Sequence, residues 1–90
     1  MIMAQGKITK RAVDAIQAGT ADQFLWDTDL KGFGLKTTTA GKKMYIIQYR
    51  HSNRLRRYTI GAHGVLTPEQ ARKEAIDLLA KVANGEDPAE

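Results

Sequence analysis

The chain has 90 residues, of which 42% are hydrophobic, and its formal net charge of +4 comes from 14 Lys/Arg and 10 Asp/Glu. This length fits one small domain with enough apolar residues for a core, and it is small for a cleft that buries a substrate. The absence of cysteine excludes a disulfide scaffold and a thiolate metal site. No apolar run approaches the ~20 residues of a membrane span and the N-terminus lacks the apolar core of a signal peptide, so we expect a soluble, intracellular protein.

The charge is unevenly distributed along the chain. Residues 30–68 contain no acidic residue and carry a charge of +8, whereas the remainder carries −4. Clustered cations of this kind are typical of a protein that binds a polyanion. The alternative is a solvated basic surface that serves only solubility.

The N-terminal part predicts one short helix and one short strand. Thr9 is a candidate N-cap for a helix over 10–16, and Gly19 is its predicted end. Residues 24–27 follow as a short extended segment, and a turn over 29–32 comes next.

The middle of the chain predicts three antiparallel strands joined by hairpins. The strands cover 33–38, 43–50 and 54–60, and polar or glycine-containing turns at 39–42 and 51–53 connect them. Alternation places a mainly apolar set on one face, namely Tyr45, Ile47, Tyr49, Tyr58 and Ile60. This face needs a cover, since one face of such a sheet is buried and the other is wet.

A second helix is predicted to provide that cover. Thr67 caps it, Pro68 occupies the first helical position, and Gln70 completes a capping box. An apolar stripe from Ala71 to Val82 is wide enough to cover a sheet face, and the helix ends at 84–85. The predicted fold class is therefore α+β: a three-stranded antiparallel meander with a short extra N-terminal strand, packed against a C-terminal helix, and a short N-terminal helix.

The opposite face of the predicted sheet is the strongest candidate site. It combines cations, which bind phosphates, with Gln and Thr, which can read base edges in the major groove of DNA. A narrow sheet can enter that groove. The candidate DNA-binding residues are Lys36, Thr38, Gln48, Arg50, Arg57 and Thr59 on the face, with Lys42, Lys43 and Arg54 at its rim.

Signals for an enzyme or a metal site are weak, and we expect no cofactor and no metal. His51 and His63 lie in predicted loops without a matched set of ligands, so solvated turn histidines are the simpler interpretation. Asp27 and Asp29 at a strand end favour a turn or capping role over paired-carboxylate catalysis. Trp26 is interpreted as a core or edge-packing residue.

Several segments, in order, resemble one known family. These are Asp-Thr-Asp-Leu-Lys-Gly-Phe-Gly-Leu-Lys at 27–36, the Gly-Lys-Lys to Tyr-Arg strand at 41–50, the Arg-rich strand ending in Ile-Gly at 56–61, and Leu-Thr-Pro-Glu-Gln-Ala-Arg at 66–72 with Gly-Glu-Asp-Pro at 85–88. The order is similar to the N-terminal arm-type DNA-binding domain of prophage and genomic-island tyrosine recombinases (phage integrases). No single segment is specific; the set in this order is.

The resemblance implies a non-catalytic module for DNA integration and recombination. Such a domain binds double-stranded DNA at arm-type sites of phage attachment DNA, and core-binding and catalytic domains of the same integrase follow it. Residues 1–85 would form the domain and 86–90 the start of the linker, and the catalytic tyrosine would lie in the part beyond. We expect the isolated domain to be a monomer, in the bacterial cytoplasm at the nucleoid, without membrane contact.

Two other functions fit the basic character of the chain. A double-stranded RNA-binding module shares a helix–three-strand–helix order but uses helix ends, whereas the cations here lie in strands and turns. A basic protein-interaction module would dock an acidic partner. Binding to random duplex DNA separates the leading hypothesis from the protein-interaction alternative.

Overall fold

A five-stranded sheet forms the body of the domain. The computed structural model describes residues 2–89. The sheet order follows the chain, β1 is parallel to β2, and the other neighbours are antiparallel. This confirms the predicted α+β class. The elements are β1 (Ile2–Gln5), α1 (Lys10–Ala15), β2 (Gln23–Trp26), β3 (Phe33–Thr37), β4 (Lys43–His51), β5 (Arg54–Ala62) and α2 (Pro68–Ala83).

Strand β1 was not predicted from the sequence. Its four residues show no alternation of apolar and polar side chains, which is the usual signal of a strand. It pairs with β2 from Ile2 opposite Gln23 to Gln5 opposite Trp26, and the Gly6 amide continues the ladder by donating to the Trp26 carbonyl at 3.0 Å. Parallel strands need a crossover, and α1 lies within that connection. The pairing therefore depends on the tertiary path of the chain.

Helix α1 is shorter than predicted. The Thr9 hydroxyl accepts a hydrogen bond from the Ala12 amide at 3.1 Å, which confirms the N-cap. The helix ends at Ala15 rather than near Gly19, because Ile16 turns to an extended conformation and its amide donates to the Val13 carbonyl at 3.2 Å. In that position Ile16 packs against the core. The contact with the core thus ends the helix before the glycine does.

Helix α2 begins as its sequence predicts. The Thr67 hydroxyl accepts from the Gln70 amide at 3.1 Å, and the Gln70 side chain accepts from the Thr67 amide at 2.9 Å. This is the predicted capping box. Ala71 and Ala75 are fully buried against the sheet, because their small side chains let the helix approach closely. Among residues 2–89, neither helix is long and apolar enough to cross a bilayer.

The core lies between the sheet and the helices. Phe33, Tyr45 and Ile47 are fully buried there, and Tyr58 and Ile60 pack at its edge, as the alternation predicted. The β4–β5 ladder shifts at one point, where Tyr45 lies opposite Gly61 and Ile46 opposite Thr59. Residue 60 is thus an extra residue in β5, a bulge of the kind that bends a strand and increases its twist locally.

Candidate nucleic-acid interface

The sheet surface turned away from both helices is the candidate interface, and we call it the open face. Cross-strand pairs define it: Lys36 lies opposite Met44, and Gln48 lies opposite Arg57. Because side chains alternate along a strand, the same register places further residues of β2, β4 and β5 on this face. The open face comprises Phe24, Trp26, Gly34, Lys36, Met44, Ile46, Gln48, Arg50, Leu55, Arg57 and Thr59.

Five of the nine predicted site residues lie together on the open face. They come from three adjacent strands and are Lys36, Gln48, Arg50, Arg57 and Thr59. Thr38 follows the end of β3, where its hydroxyl accepts a hydrogen bond from the Lys42 amide at 3.1 Å. Lys42 is exposed in the same turn. Arg54 is exposed at the other end of the sheet, where it lies on the helix-facing side of β5 together with Arg56 and Tyr58.

Lys43 is not brought together with the other predicted site residues. It lies on the helix-covered side, and its ammonium group donates to the Val13 carbonyl at 2.6 Å. This bond joins the start of β4 to α1. The sequence could not show it, because the acceptor is a backbone group 30 positions away.

Arg56 is also withdrawn from the open face, and it is paired with an acid. Its Nε lies 3.2 Å from the Asp87 carboxylate, whose side chain is 2% exposed. The Tyr49 hydroxyl donates to the same carboxylate, and the Ala89 amide donates to Tyr49 at 3.0 Å. The hydrogen bond from Tyr49 lowers the pKa of Asp87 against the opposing effect of burial, and Arg56 lowers it further. Residues 87–89 therefore fold back onto the domain.

Aromatic side chains on β2 support the centre of the open face. Phe24 and Trp26 stack with ring centroids 5.8 Å apart. Trp26 packs over Gly34, where a Cβ atom would lie only 2.5 Å from the indole ring. The Arg57 guanidinium carbon lies 4.5 Å from the Phe24 ring centroid, and the Lys36 ammonium lies 6.0 Å from it. The packing role predicted for Trp26 is thus observed, whereas the contact between Phe24 and Arg57 was not predicted.

A shallow groove continues the open face toward the β2–β3 turn. Trp26, Gln48, Arg50 and Leu55 line it together with Lys31 from that turn. Leu55 is 58% exposed, which makes it one of the few large apolar side chains of residues 2–89 left in solvent. The groove therefore combines two cations, an amide and two apolar side chains, groups that can contact base edges and thymine methyl groups in the major groove of DNA.

A buried ion pair holds the elements behind this surface. Both Asp27 oxygens face the Arg72 guanidinium, at 2.6 and 2.8 Å, and they also accept from the Ile8 and Leu30 amides at 2.8 and 2.7 Å. Burial alone would raise the pKa of Asp27, but the hydrogen bonds from Arg72 and from the two amides outweigh it and lower the pKa to about 2. Asp27 is thus the turn-stabilising residue that its position predicted, and it ties α2 to the β2–β3 turn.

Residues 2–89 hold no cluster of His, Asp or Glu side chains that could bind a metal ion. His63 lies between the Tyr45 hydroxyl, at 2.6 Å, and the Asp14 carboxylate, at 3.0 Å. Burial, together with the charges of Glu69 and Asp14, raises the pKa of Tyr45 to about 12. The Tyr45 phenol therefore stays protonated at neutral pH and serves packing.

A comparison with protein families decides what kind of domain this is. The model of a family described as arm DNA-binding domain matches residues 8–90. The chain belongs to the arm DNA-binding domain family. No curated protein matches the chain. An arm DNA-binding domain is a DNA-binding module without catalytic function, so DNA is the partner for which the basic surface is suited.

Proposed function

We propose that this arm DNA-binding domain recognises a specific double-stranded DNA sequence by inserting its open face into the major groove. The observation that carries the proposal is the convergence of Lys36, Gln48, Arg50 and Arg57 on one face of β3, β4 and β5. These three strands contain no acidic residue. The face therefore offers hydrogen-bond donors and positive charge to a polyanion.

The dimensions of the face suit this mode of binding. Neighbouring strands lie about 4.8 Å apart, so β3, β4 and β5, which carry the cations of the open face, span roughly 10 Å between their outer axes. The major groove of B-DNA is about 12 Å wide and admits a narrow β-sheet or ribbon. Exposed cations at the two ends of the sheet, Lys42 and Arg54, are placed to reach flanking phosphates. Phosphate contacts would set the register, and side chains at the centre would read bases.

The larger context belongs to the same proposal. The DNA would be an arm-type attachment site, and the domain would be the N-terminal module of a prophage or genomic-island tyrosine recombinase. Core-binding and catalytic domains would follow residues 86–90, and the isolated domain would bind as a monomer. The family match and the ordered segments that resemble integrase arm domains support this context.

A matched pair of charge-removing variants tests the use of the open face. Arg50→Ala removes an exposed cation from β4, and Lys73→Ala removes an exposed cation from α2 on the other side of the sheet. We expect Arg50→Ala to weaken binding to a duplex selected from a random library by about 1–3 kcal/mol if Arg50 contacts a base. Lys73→Ala should leave the affinity almost unchanged.

Chemical-shift mapping with the same duplex locates the surface directly. The expected shifts fall on residues 36–59, and α2 stays unaffected. Shifts confined to α2, or an equal loss of affinity in the two variants, would exclude the proposed mode. Competition with double-stranded RNA and with an acidic peptide separates the two alternative partners, since neither should displace the selected DNA.

A further inference from the structure

We propose that Phe24, Gln48 and Arg57 form one preorganised unit that reads a guanine and an adjacent hydrogen-bond acceptor, with Phe24 as the positioning residue. The inference rests on the proposed function and specifies which base edges the centre of the open face recognises. Gln48 and Arg57 lie directly opposite each other on β4 and β5. Phe24 approaches the same guanidinium from β2.

The hydrogen bond between the two polar side chains fixes the orientation of the Gln48 amide. An Arg57 Nη2 donates to Gln48 Oε1 at 2.8 Å. A guanidinium only donates, so the amide oxygen must point at Arg57 and the amide NH₂ must point away from it. A glutamine reads adenine by accepting with its oxygen and donating with its nitrogen at the same time. With the oxygen turned toward Arg57, Gln48 cannot direct its oxygen and its nitrogen together at one adenine, so it meets a base edge chiefly as a donor and adenine is no longer favoured at this position.

Phe24 holds the guanidinium without neutralising it. The Phe24 side chain is 5% exposed, and the Arg57 guanidinium carbon lies 4.5 Å from its ring centroid. A cation over an aromatic face at this distance is attracted by the ring quadrupole. Trp26 stacks on Phe24 and packs over Gly34, so the supporting ring is itself held in place. The free N–H groups of Arg57 are thus oriented before DNA arrives, and the positive charge is retained.

The unit as a whole presents mainly donors. Arg57 keeps enough N–H groups for a bidentate contact, and guanine with its O6 and N7 acceptors is the base that such a contact selects. The Gln48 NH₂ beside it requires an acceptor on the neighbouring base pair, which a purine N7 or a thymine O4 supplies. The predicted recognition element is therefore a guanine next to an acceptor-bearing base.

The experiment is a selection from a library of duplexes with a random central segment, read by sequencing of the bound pool. It uses the wild-type domain and four variants: Arg57→Lys, Gln48→Glu, Phe24→Leu and Phe24→Tyr. We expect one position with guanine preferred about 10-fold in the wild-type pool, and a reduced preference with Arg57→Lys, since Lys can donate to guanine but lacks the planar fork that Phe24 and Gln48 orient. Gln48→Glu still accepts from Arg57 but replaces the donor with an acceptor, so the neighbouring position should change toward cytosine.

The Phe24 variants separate positioning from packing. Phe24→Leu keeps an apolar side chain without a π face and should reduce the guanine preference. Phe24→Tyr keeps the π face and should retain the wild-type preference. A dispersed NMR spectrum establishes that each variant is folded. Arg57 is exposed on the sheet surface, so Arg57→Lys still tests the inference if Phe24→Leu does not fold.

The outcomes distinguish this inference from the proposed function. An unchanged base pattern with Arg57→Lys, and a uniform loss of affinity for all sequences, would assign Arg57 to a phosphate and overturn the inference while the open face still binds DNA. An equal guanine preference in Phe24→Leu and the wild type would overturn the positioning role. Failure of the wild-type domain to retain any duplex would overturn the proposed function itself.

Discussion

Replacing Asp27 with Asn should lower the free energy of unfolding by about 3–5 kcal/mol, the cost of breaking a buried ion pair by removing one partner. The Asp27 side chain is fully buried, and the Arg72 side chain is 21% exposed. Asn keeps one oxygen but loses the charge, and its NH₂ group would face the donors from Arg72, Ile8 or Leu30. Arg72 would keep its hydrogen bond to the Ile8 carbonyl, at 3.1 Å, and at most one to the remaining side-chain oxygen, and it would lose its charged partner. The loss is a large share of the 5–15 kcal/mol that stabilises a typical domain.

The same carboxylate predicts an acid-dependent part of the stability. Its pKa falls from an ordinary value of 3.8 to about 2 in the folded protein. This difference corresponds to about 2 kcal/mol of stability. Because the folded pKa lies below the unfolded one, the contribution is complete above about pH 5 and disappears as the pH falls through about 2. Asp27→Asn lacks this contribution at every pH. The difference in the free energy of unfolding between wild type and variant should therefore decrease by that amount in acid.

Urea unfolding followed by circular dichroism, repeated from pH 7 to pH 2, measures both effects. Asp29→Asn is the matched control: it is two residues away, and its carboxylate forms an exposed ion pair with Lys7 at 3.3 Å. An exposed pair of this kind contributes about 1 kcal/mol or less. Equal destabilisation by the two substitutions at pH 7 would refute the role of Asp27. A difference in the free energy of unfolding between Asp27→Asn and wild type that stays constant down to pH 2 would also refute it.

Four further substitutions test other parts of the structure. Lys42→Ala should weaken binding to all DNA sequences alike and make the slope of log K against log salt concentration shallower by about one unit. Lys43→Ala should mainly lower the melting temperature, because Lys43 bonds to a carbonyl of α1. Anisotropy titrations at several salt concentrations measure the slope for each variant, and an equal change of slope in the two variants would contradict this prediction. Tyr49→Phe removes the hydroxyl that holds the C-terminal segment and should cost about 1.5–3 kcal/mol in urea unfolding, as for a hydrogen bond to a charged group; an unchanged midpoint would exclude that role. Gly34→Ala should displace Trp26 and lower the free energy of unfolding by about 1–3 kcal/mol through overpacking. The fluorescence emission of the single Trp should shift. An unshifted spectrum would argue against the contact between Trp26 and Gly34.

The parts of the fold that the sequence predicts are those governed by local patterns. Alternation in β4 and β5 assigned Tyr45 and Ile47 to the core and Gln48 and Arg57 to the other face, and the register confirms this. The capping box located the start of α2, since its two hydrogen bonds join residues only three positions apart. Such patterns depend on backbone geometry that neighbouring residues share.

The parts that could not be predicted depend on contacts between distant residues. The pairing of β1 with β2 joins segments 21 positions apart and leaves no periodic signal in either. The bond from Lys43 to α1 uses a backbone carbonyl, which every residue has. The position of Phe24 under Arg57 joins the second strand of the sheet to the fifth. Each requires the complete fold before the two partners are neighbours.

Arg56 and Arg57 show why a count of cations overstates the surface available to DNA. Both belong to the acid-free stretch, yet alternation sends them to opposite sides of the sheet. Arg56 meets the carboxylate of Asp87, which lies outside that stretch in the chain but next to it in space. Arg57 is held by the neutral groups of Gln48 and Phe24, and it has no acidic partner within residues 2–89. A cation oriented by neutral neighbours keeps its full charge for a polyanion, whereas one oriented by a carboxylate does not. For these two arginines, the kind of group that orients the cation therefore distinguishes the one that stabilises the fold from the one available to DNA.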